Sequence, residues 1–326
     1  MNTYGPPDAG RTDSGPRYGF RRFTAPVAVW SALGAILLAF EGYVLTSWVV
    51  DGGYRLANSG TAGGGGVERG IDVVLPLVSA TGTLLLGVFF FQKCRARGRL
   101  DFDALLFVAL LLASWQSPFL NWVHPVLTSN TNVLGAVGSW GPYMPGWQGK
   151  GPHQEAELPL VTLSVSLTAL LATMGCSTVM RLIAARRPAI GRFPLLLAGF
   201  LVAVLFDATE PLITFIGVTV WTRAVPEVTL WSGHWYQFPL YQMLASGLFV
   251  GALSTLRLMR NADEETRVER GAGAFPPAVR PAMRLLAVLG ATNAALFLYT
   301  GIHILVSLAD GSPPTGLPAY FRPASF

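Results

Sequence analysis

The chain has 326 residues, 52% hydrophobic and 13% charged, with a mean hydropathy of +0.46. A soluble domain of this length carries about a quarter charged residues, so this composition excludes an ordinary soluble protein and points to a bilayer as solvent. The net charge of +5 and pI near 9.5 reflect loop cations that follow membrane topology and meet anionic headgroups, with nothing further to support nucleic-acid binding.

Residues 1–23 are rich in Gly, Pro and Arg without an apolar period and read as a disordered cytoplasmic tail. From there the chain reads as a single all-α bundle, 24–309, in the cell membrane. Seven runs are long enough to cross ~30 Å of hydrocarbon: 24–50, 71–92, 102–122, 158–184, 193–218, 238–258 and 283–308. The first follows Arg21 and Arg22 but is too long for a signal peptide and lacks a small-residue cleavage site, so it reads as a retained anchor. Of the 23 Lys and Arg, 18 fall on one side of a seven-span topology, which by the positive-inside rule makes the N-terminus cytoplasmic. Residues 310–326 become an external tail.

Cys94 and Cys176 lie toward the reducing side and are expected to be free thiols. The glycine run SGTAGGGGVERG, 59–70, lacks the spacing of a phosphate loop and reads as a flexible external connection. No metal-ligand spacing appears among the histidines and cysteines, so no cofactor is expected.

The loop 123–157 is long enough to be a lid or a re-entrant element. Its GSWGPYMPGW, 138–147, carries Trp140, Tyr143 and Trp147, which a solvated linker would not retain. LWSGHWYQFPLYQ, 230–242, has the same character. Eight of the nine tryptophans fall in outer halves or external loops, Trp30 being the exception. A structural belt would decorate both interfaces.

The polar residues inside the spans carry the functional signal. FDATEPL, 206–212, places Asp207 and Glu210 in an otherwise apolar run; the spacing predicts one helical stripe for Asp207, Glu210 and Thr214. Pro211 is expected to free a backbone carbonyl one turn earlier. Glu41, Asp72, Asn121, His124, His234, Tyr236, Tyr241, Gln242 and His303 lie at similar depth. A charged group at mid-membrane costs roughly 2.5 to 3.5 kcal/mol, so these groups are expected to converge on an interior pocket. The plainer alternatives are a register-holding role for the carboxylates, an interfacial position for Glu41 and Asp72, and simple packing for His303.

SPFLNW with GSWGPYMPGW, then FDATEP, then SGHWYQFPLYQ, preceded by FEGYVLTSWVVDGGYRL at 40–56, together resemble the AveC-like spirocyclase family of actinobacteria. Where an acidic residue often precedes the proline in that pattern, this chain has Ser117. The resemblance implies closure of a dihydroxy-ketone polyketide, a lipophilic macrolide intermediate, into a spiroketal, with loss of ring water in some relatives. One hydroxyl adds to the ketone, water leaves through an oxocarbenium-like species, and the second hydroxyl captures it. Two carboxyls can divide the acid and base roles, as they do in glycoside cleavage. On that reading Glu210 is the acid, Asp207 the base or cation stabiliser and His234 a proton relay. Glu41, Asn121, His124, Trp140, Trp147, Trp235, Tyr236 and Tyr241 line the substrate site. A proton-coupled transporter and a membrane terpene cyclase are the alternatives; the transporter is disfavoured by the absence of an inverted repeat.

Overall fold

The structure, a computed structural model, describes residues 25–57, 66–152, 154–261, 265–309, 311 and 313–321. The expected tail 1–23, residues 59–65 of the glycine run, and residues 310, 312 and 322–326 of the expected C-terminal tail lie outside these.

The long helices are α1 (Pro26–Val50), α2 (Gly66–Arg97), α3 (Phe102–Ala113), α4 (Pro159–Arg186), α5 (Arg192–Asp207), α7 (Leu240–Leu258) and α8 (Arg280–Ser307), with a one-turn α6 (Pro211–Phe215) after α5. A 3₁₀ segment, Ser114–Asn121, extends α3. Among the described residues, six helical spans are long and apolar enough to cross a membrane. The run expected at 238–258 is the exception: α7 forms, but Tyr241, Gln242, Ser246, Ser254 and Arg257 lower its hydropathy. They are tolerated because α7 packs against α4, α5 and α8 in the middle of the bundle.

Contacts along the helices set their directions. Ser31 Oγ donates to Met283 O at 2.7 Å, and Gly34 meets Leu286 and Gly290, so α1 and α8 run side by side in the same direction. Asp207 meets Ser246 while Phe200 meets Gly251, so α5 and α7 are antiparallel. Parallel first and last helices require an odd number of traverses, which α7 completes.

The α1–α8 crossing depends on two glycines: a Cβ on Gly34 would lie 2.0 Å from Leu286 O, and one on Gly290 2.4 Å from Trp30 O. Gly42, on the same helix, has nothing within 4 Å. Gly34→Val is therefore expected to cost at least about 1–3 kcal/mol through overpacking. A thermal melt in detergent should show the loss for Gly34→Val and little change for Gly42→Ala.

One end of the bundle is fastened by ion pairs. Arg257 donates from Nε and Nη2 to the two carboxylate oxygens of Asp103, at 2.7 and 2.8 Å, and from Nη1 to Ser177 Oγ at 2.8 Å. Lys93 lies 2.5 Å from Asp101, and Arg284 donates to Glu269 at 2.8 Å. Cys94 and Cys176 are free thiols.

The opposite end is roofed by short antiparallel ribbons: β1 (Leu127–Ser129) with β4 (Thr219–Trp221), β2 (Val137–Gly138) with β3 (Ala156–Glu157), and β5 (Thr229–Leu230) with β6 (Phe238–Pro239). The loop 123–157 is a packed roof, as its aromatics implied. Trp48 Nε1 donates to Gly138 O at 2.8 Å, Trp140 Nε1 to Trp115 O at 2.6 Å and Trp147 Nε1 to Lys150 O at 2.8 Å.

Candidate functional site

The helix expected to continue through FDATEPL breaks there. Pro211 cannot donate to the carbonyl of Asp207, so α5 stops at Asp207 and α6 restarts at Pro211. That carbonyl is not left free, because Glu210 N donates to it at 2.9 Å. The single stripe expected for Asp207, Glu210 and Thr214 is replaced by a turn carrying both carboxyls, with Thr214 buried beyond it.

Around this turn α7 and α8 supply polar partners. Ser246 Oγ donates to Asp207 Oδ1 at 2.8 Å, while Asp207 Oδ2 is buried without a hydrogen-bond partner. The Asp207 charge reaches Glu210, and both carboxyls act on the Tyr299 hydroxyl, as does Tyr241. Tyr299 donates to Gln242 Oε1 at 3.0 Å. One turn along α8, His303 is fully buried, with ring centroids 4.6 Å from Tyr299, 5.4 Å from Trp221 and 5.7 Å from Tyr241. His303 Nδ1 lies 2.9 Å from Tyr299 O. A carbonyl only accepts, so Nδ1 carries the proton and Nε2, buried and without a partner, offers a lone pair in the neutral ring.

The other face of α8 builds an apolar receptacle. Phe297, Thr300, Gly301 and Ile304 recur at helical spacing and, with Phe40 of α1 and Phe119, Trp122, Met144 and Pro145 of the roof, enclose a pocket of about 340 Å³. That volume lies within the range of small-ligand sites. Trp122 Nε1, buried without a partner, is an uncommitted donor in one of its walls. Trp115, Phe119 and Phe297 pack edge to face behind it.

The expected site residues therefore separate into three groups. Asp207 and Glu210 share the turn after α5, while Tyr241 packs against His303 at 5.7 Å. Trp140 and Trp147 belong to the aromatic cluster behind the receptacle; Glu41 follows Phe40, buried, with Oε2 lacking a partner. Asn121 borders the same region, but its side chain is committed: Nδ2 donates to Leu127 O and Glu155 Oε2, and Oδ1 accepts from Val126 N and Leu127 N. His124 is half-buried in the following turn. His234 is exposed and stacked at 5.2 Å on Tyr236, which stacks on Phe215 at the end of α6; Trp235 packs against Tyr236. This aromatic ladder caps α6, and the imidazole brought beside Tyr241 and Tyr299 is that of His303.

Sequence reasoning passed over a second pair of buried carboxyls, Glu155 and Glu157, in the roof. Ser117 and Ser139 donate to Glu157 at 2.7 and 3.0 Å, so the position before Pro118 meets a carboxyl across the fold. The signal was weak, since QEAEL reads as an ordinary hydrophilic loop end. Burial pushes the Glu157 carboxyl up to about 7, against the two serine donors, with Glu155 adding in the same direction. A carboxyl raised on folding makes the protein lose stability as pH climbs from about 4.5 to 7, because the folded state must ionise a group it holds protonated. Glu157→Gln is expected to flatten that slope, worth of the order of 3 kcal/mol, in melting temperature measured across this window.

No curated protein and no solved structure matches the chain. A family model described as spirocyclase AveC-like matches residues 97–326. The match takes in the roof, the FDATEP turn and the polar face of α8, and with it well over half of the sequence; the chain belongs to the AveC-like spirocyclase family.

Proposed function

We propose that the protein closes a dihydroxy-ketone polyketide into a spiroketal at the Asp207–Glu210 turn, in the membrane. Family membership supports a role in spirocyclisation and an enzymatic activity. The observation that carries the local reading is the pair of carboxyls on one turn, one hydrogen-bonded to Ser246 and holding a buried, unpartnered oxygen, with Tyr299 within reach of both charges.

In this mechanism one substrate hydroxyl adds to the ketone to give a hemiketal. Glu210 as acid protonates the hemiketal hydroxyl, which leaves as water. Asp207 stabilises the oxocarbenium-like cation and takes the proton from the second hydroxyl as its oxygen closes the ring. The net change is dihydroxy-ketone to spiroketal plus water, with no redox step. Returning the proton from Asp207 to Glu210 completes the cycle, with the Tyr299–Gln242 hydrogen bond within reach of both carboxyls. His234, exposed behind Tyr236, is better placed as part of the mouth than as the relay.

A proton-coupled transporter needs access from both ends. The far end here is closed by the buried Asp103–Arg257 pair and the apolar core around it, as one state of an alternating-access cycle would also be, so a conversion assay separates the two readings. The test is to incubate purified protein in detergent with a dihydroxy-ketone macrolide precursor and follow the product by mass spectrometry and NMR. One spiro epimer formed faster than in the protein-free control supports the reading. An epimer mixture at the control rate overturns it, and substrate uptake into sealed vesicles without conversion replaces it with transport.

A further inference from the structure

Beyond the end of α8 lies a second pocket, of about 310 Å³, walled by Thr128, Lys150, Thr222, Arg223, Leu317 and Phe321 among others. We propose that it is a phosphate-binding site, with Arg223 and Lys150 as its cations, that takes the headgroup phosphate of a membrane phospholipid.

Arg223 carries the argument. Its Nη2 donates to the backbone carbonyl of Ala309 at 3.1 Å, which fixes the guanidinium against the segment following α8. Its Nε is buried and has no hydrogen-bond partner. A buried donor of a cationic group left unmatched is costly, and the planar fork of arginine fits two oxygens of one phosphate. Lys150 supplies a second cation: its ammonium lies 3.5 Å from Glu155 Oε1, an ion pair at the pocket wall that a phosphate would share. Thr128 adds a hydroxyl donor, while that of Thr222 is committed to Pro125 O at 3.0 Å and only helps wall the pocket.

Depth selects the source of the phosphate. At 1.5 Å per residue the 28 residues of α8 extend about 42 Å, roughly a bilayer with its headgroups. Ala309 and Gly311 lie just past its last residue, Ser307, at headgroup level. Cations meet the phosphate there, while Leu317, Phe321 and the prolines at 125 and 313 offer an apolar surface to the glycerol end. Arg223 lies two residues after Trp221, whose ring stacks on His303.

The test measures binding and needs no cyclisation assay. Thermal shift of the detergent-purified protein is titrated with dioctanoyl phosphatidylglycerol, dioctanoylglycerol and inorganic phosphate, with native mass spectrometry to count retained lipids. The expected result is saturable stabilisation and lipid retention with the phospholipid, none with dioctanoylglycerol, and at least about tenfold weaker binding in Arg223→Gln. Arg223→Lys, which keeps the charge and loses the fork, controls for misfolding and should fall between. Asp310→Asn, which removes the acid nearest in sequence to the segment, should bind at least as tightly as the parent chain. Saturation by inorganic phosphate at the same concentration supports the anion site and assigns it to a soluble phosphate. Equal stabilisation by dioctanoylglycerol, or unchanged affinity in Arg223→Gln, overturns the proposal.

Discussion

Glu210→Gln is expected to lower the rate of spiroketal formation by about 10² to 10⁴, the range of a positioned acid or base. Protein should accumulate in the membrane as before. Gln keeps the volume and polarity of the side chain and removes the acid, so the turn between α5 and α6 retains its Asp207 O to Glu210 N hydrogen bond. Asp207→Asn should cost a comparable factor, and the double variant little more than the worse single one, because two groups serving one proton-transfer sequence are not additive. Ser246→Ala is the graded control: it removes the donor to Asp207 Oδ1 but leaves the carboxylate. The product of the impaired variants should drift toward the epimer mixture of uncatalysed closure, since the slowed enzyme no longer outruns the background. Normal rate and a single epimer in both carboxyl variants would reduce the pair to a structural role and move the search to Glu41 and the roof carboxyls.

What the sequence made legible here follows from range. Each long helix was readable because a run of some twenty apolar residues is a local property, and the cost of intramembrane charge marked Asp207 and Glu210. The break at Pro211 was equally local, though its hydrogen bond closed on a neighbour instead of a ligand. Which imidazole lies beside Tyr241 and Tyr299 was not legible. His234 sits among aromatics in GHWYQFP and looked the stronger, yet those aromatics stack on one another and hold it at the surface. His303 sits in an apolar helix with Tyr299 four residues earlier; that i, i+4 pair was the available signal, and only the packing of α7 and β4 turns it into a cluster. The same limit hid Glu157: its meaning depends on Ser117 and Ser139, brought to it by the α3–α4 hairpin and the β2–β3 ribbon. Gln242, Ser246 and Arg257 are a related case. They lowered the hydropathy of α7 below that of the other spans, and they are the groups through which this central helix engages its neighbours.

Arg257→Met is expected to destabilise the protein by about 3–5 kcal/mol, the largest stability loss among these variants, by leaving Asp103 as an uncompensated buried charge. Both residues are less than a tenth exposed, at 7% and 5%, and the guanidinium makes its three contacts to Asp103 and Ser177 from Nε, Nη2 and Nη1. Asp103→Asn should cost less, since Asn still accepts from one nitrogen of the fork. The double variant Asp103→Leu with Arg257→Met should recover most of the loss, because neither charge then remains to be desolvated. Melting temperatures in detergent of the parent, Asp103→Leu, Arg257→Met and their double variant form a double-mutant cycle that isolates the pair. The cycle also separates the two ends of the bundle. The candidate site lies at the opposite end of α7, where Gln242 and Ser246 hold Tyr299 and Asp207. The double variant, once stable, is therefore expected to retain spiroketal formation. Loss of cyclisation in that stable double variant would mean that the far end takes part in the reaction and that α7 couples the two. Retention would confine the chemistry to the roofed end, with the ion pair acting as the anchor that allows a polar helix to stand at the centre of an apolar bundle.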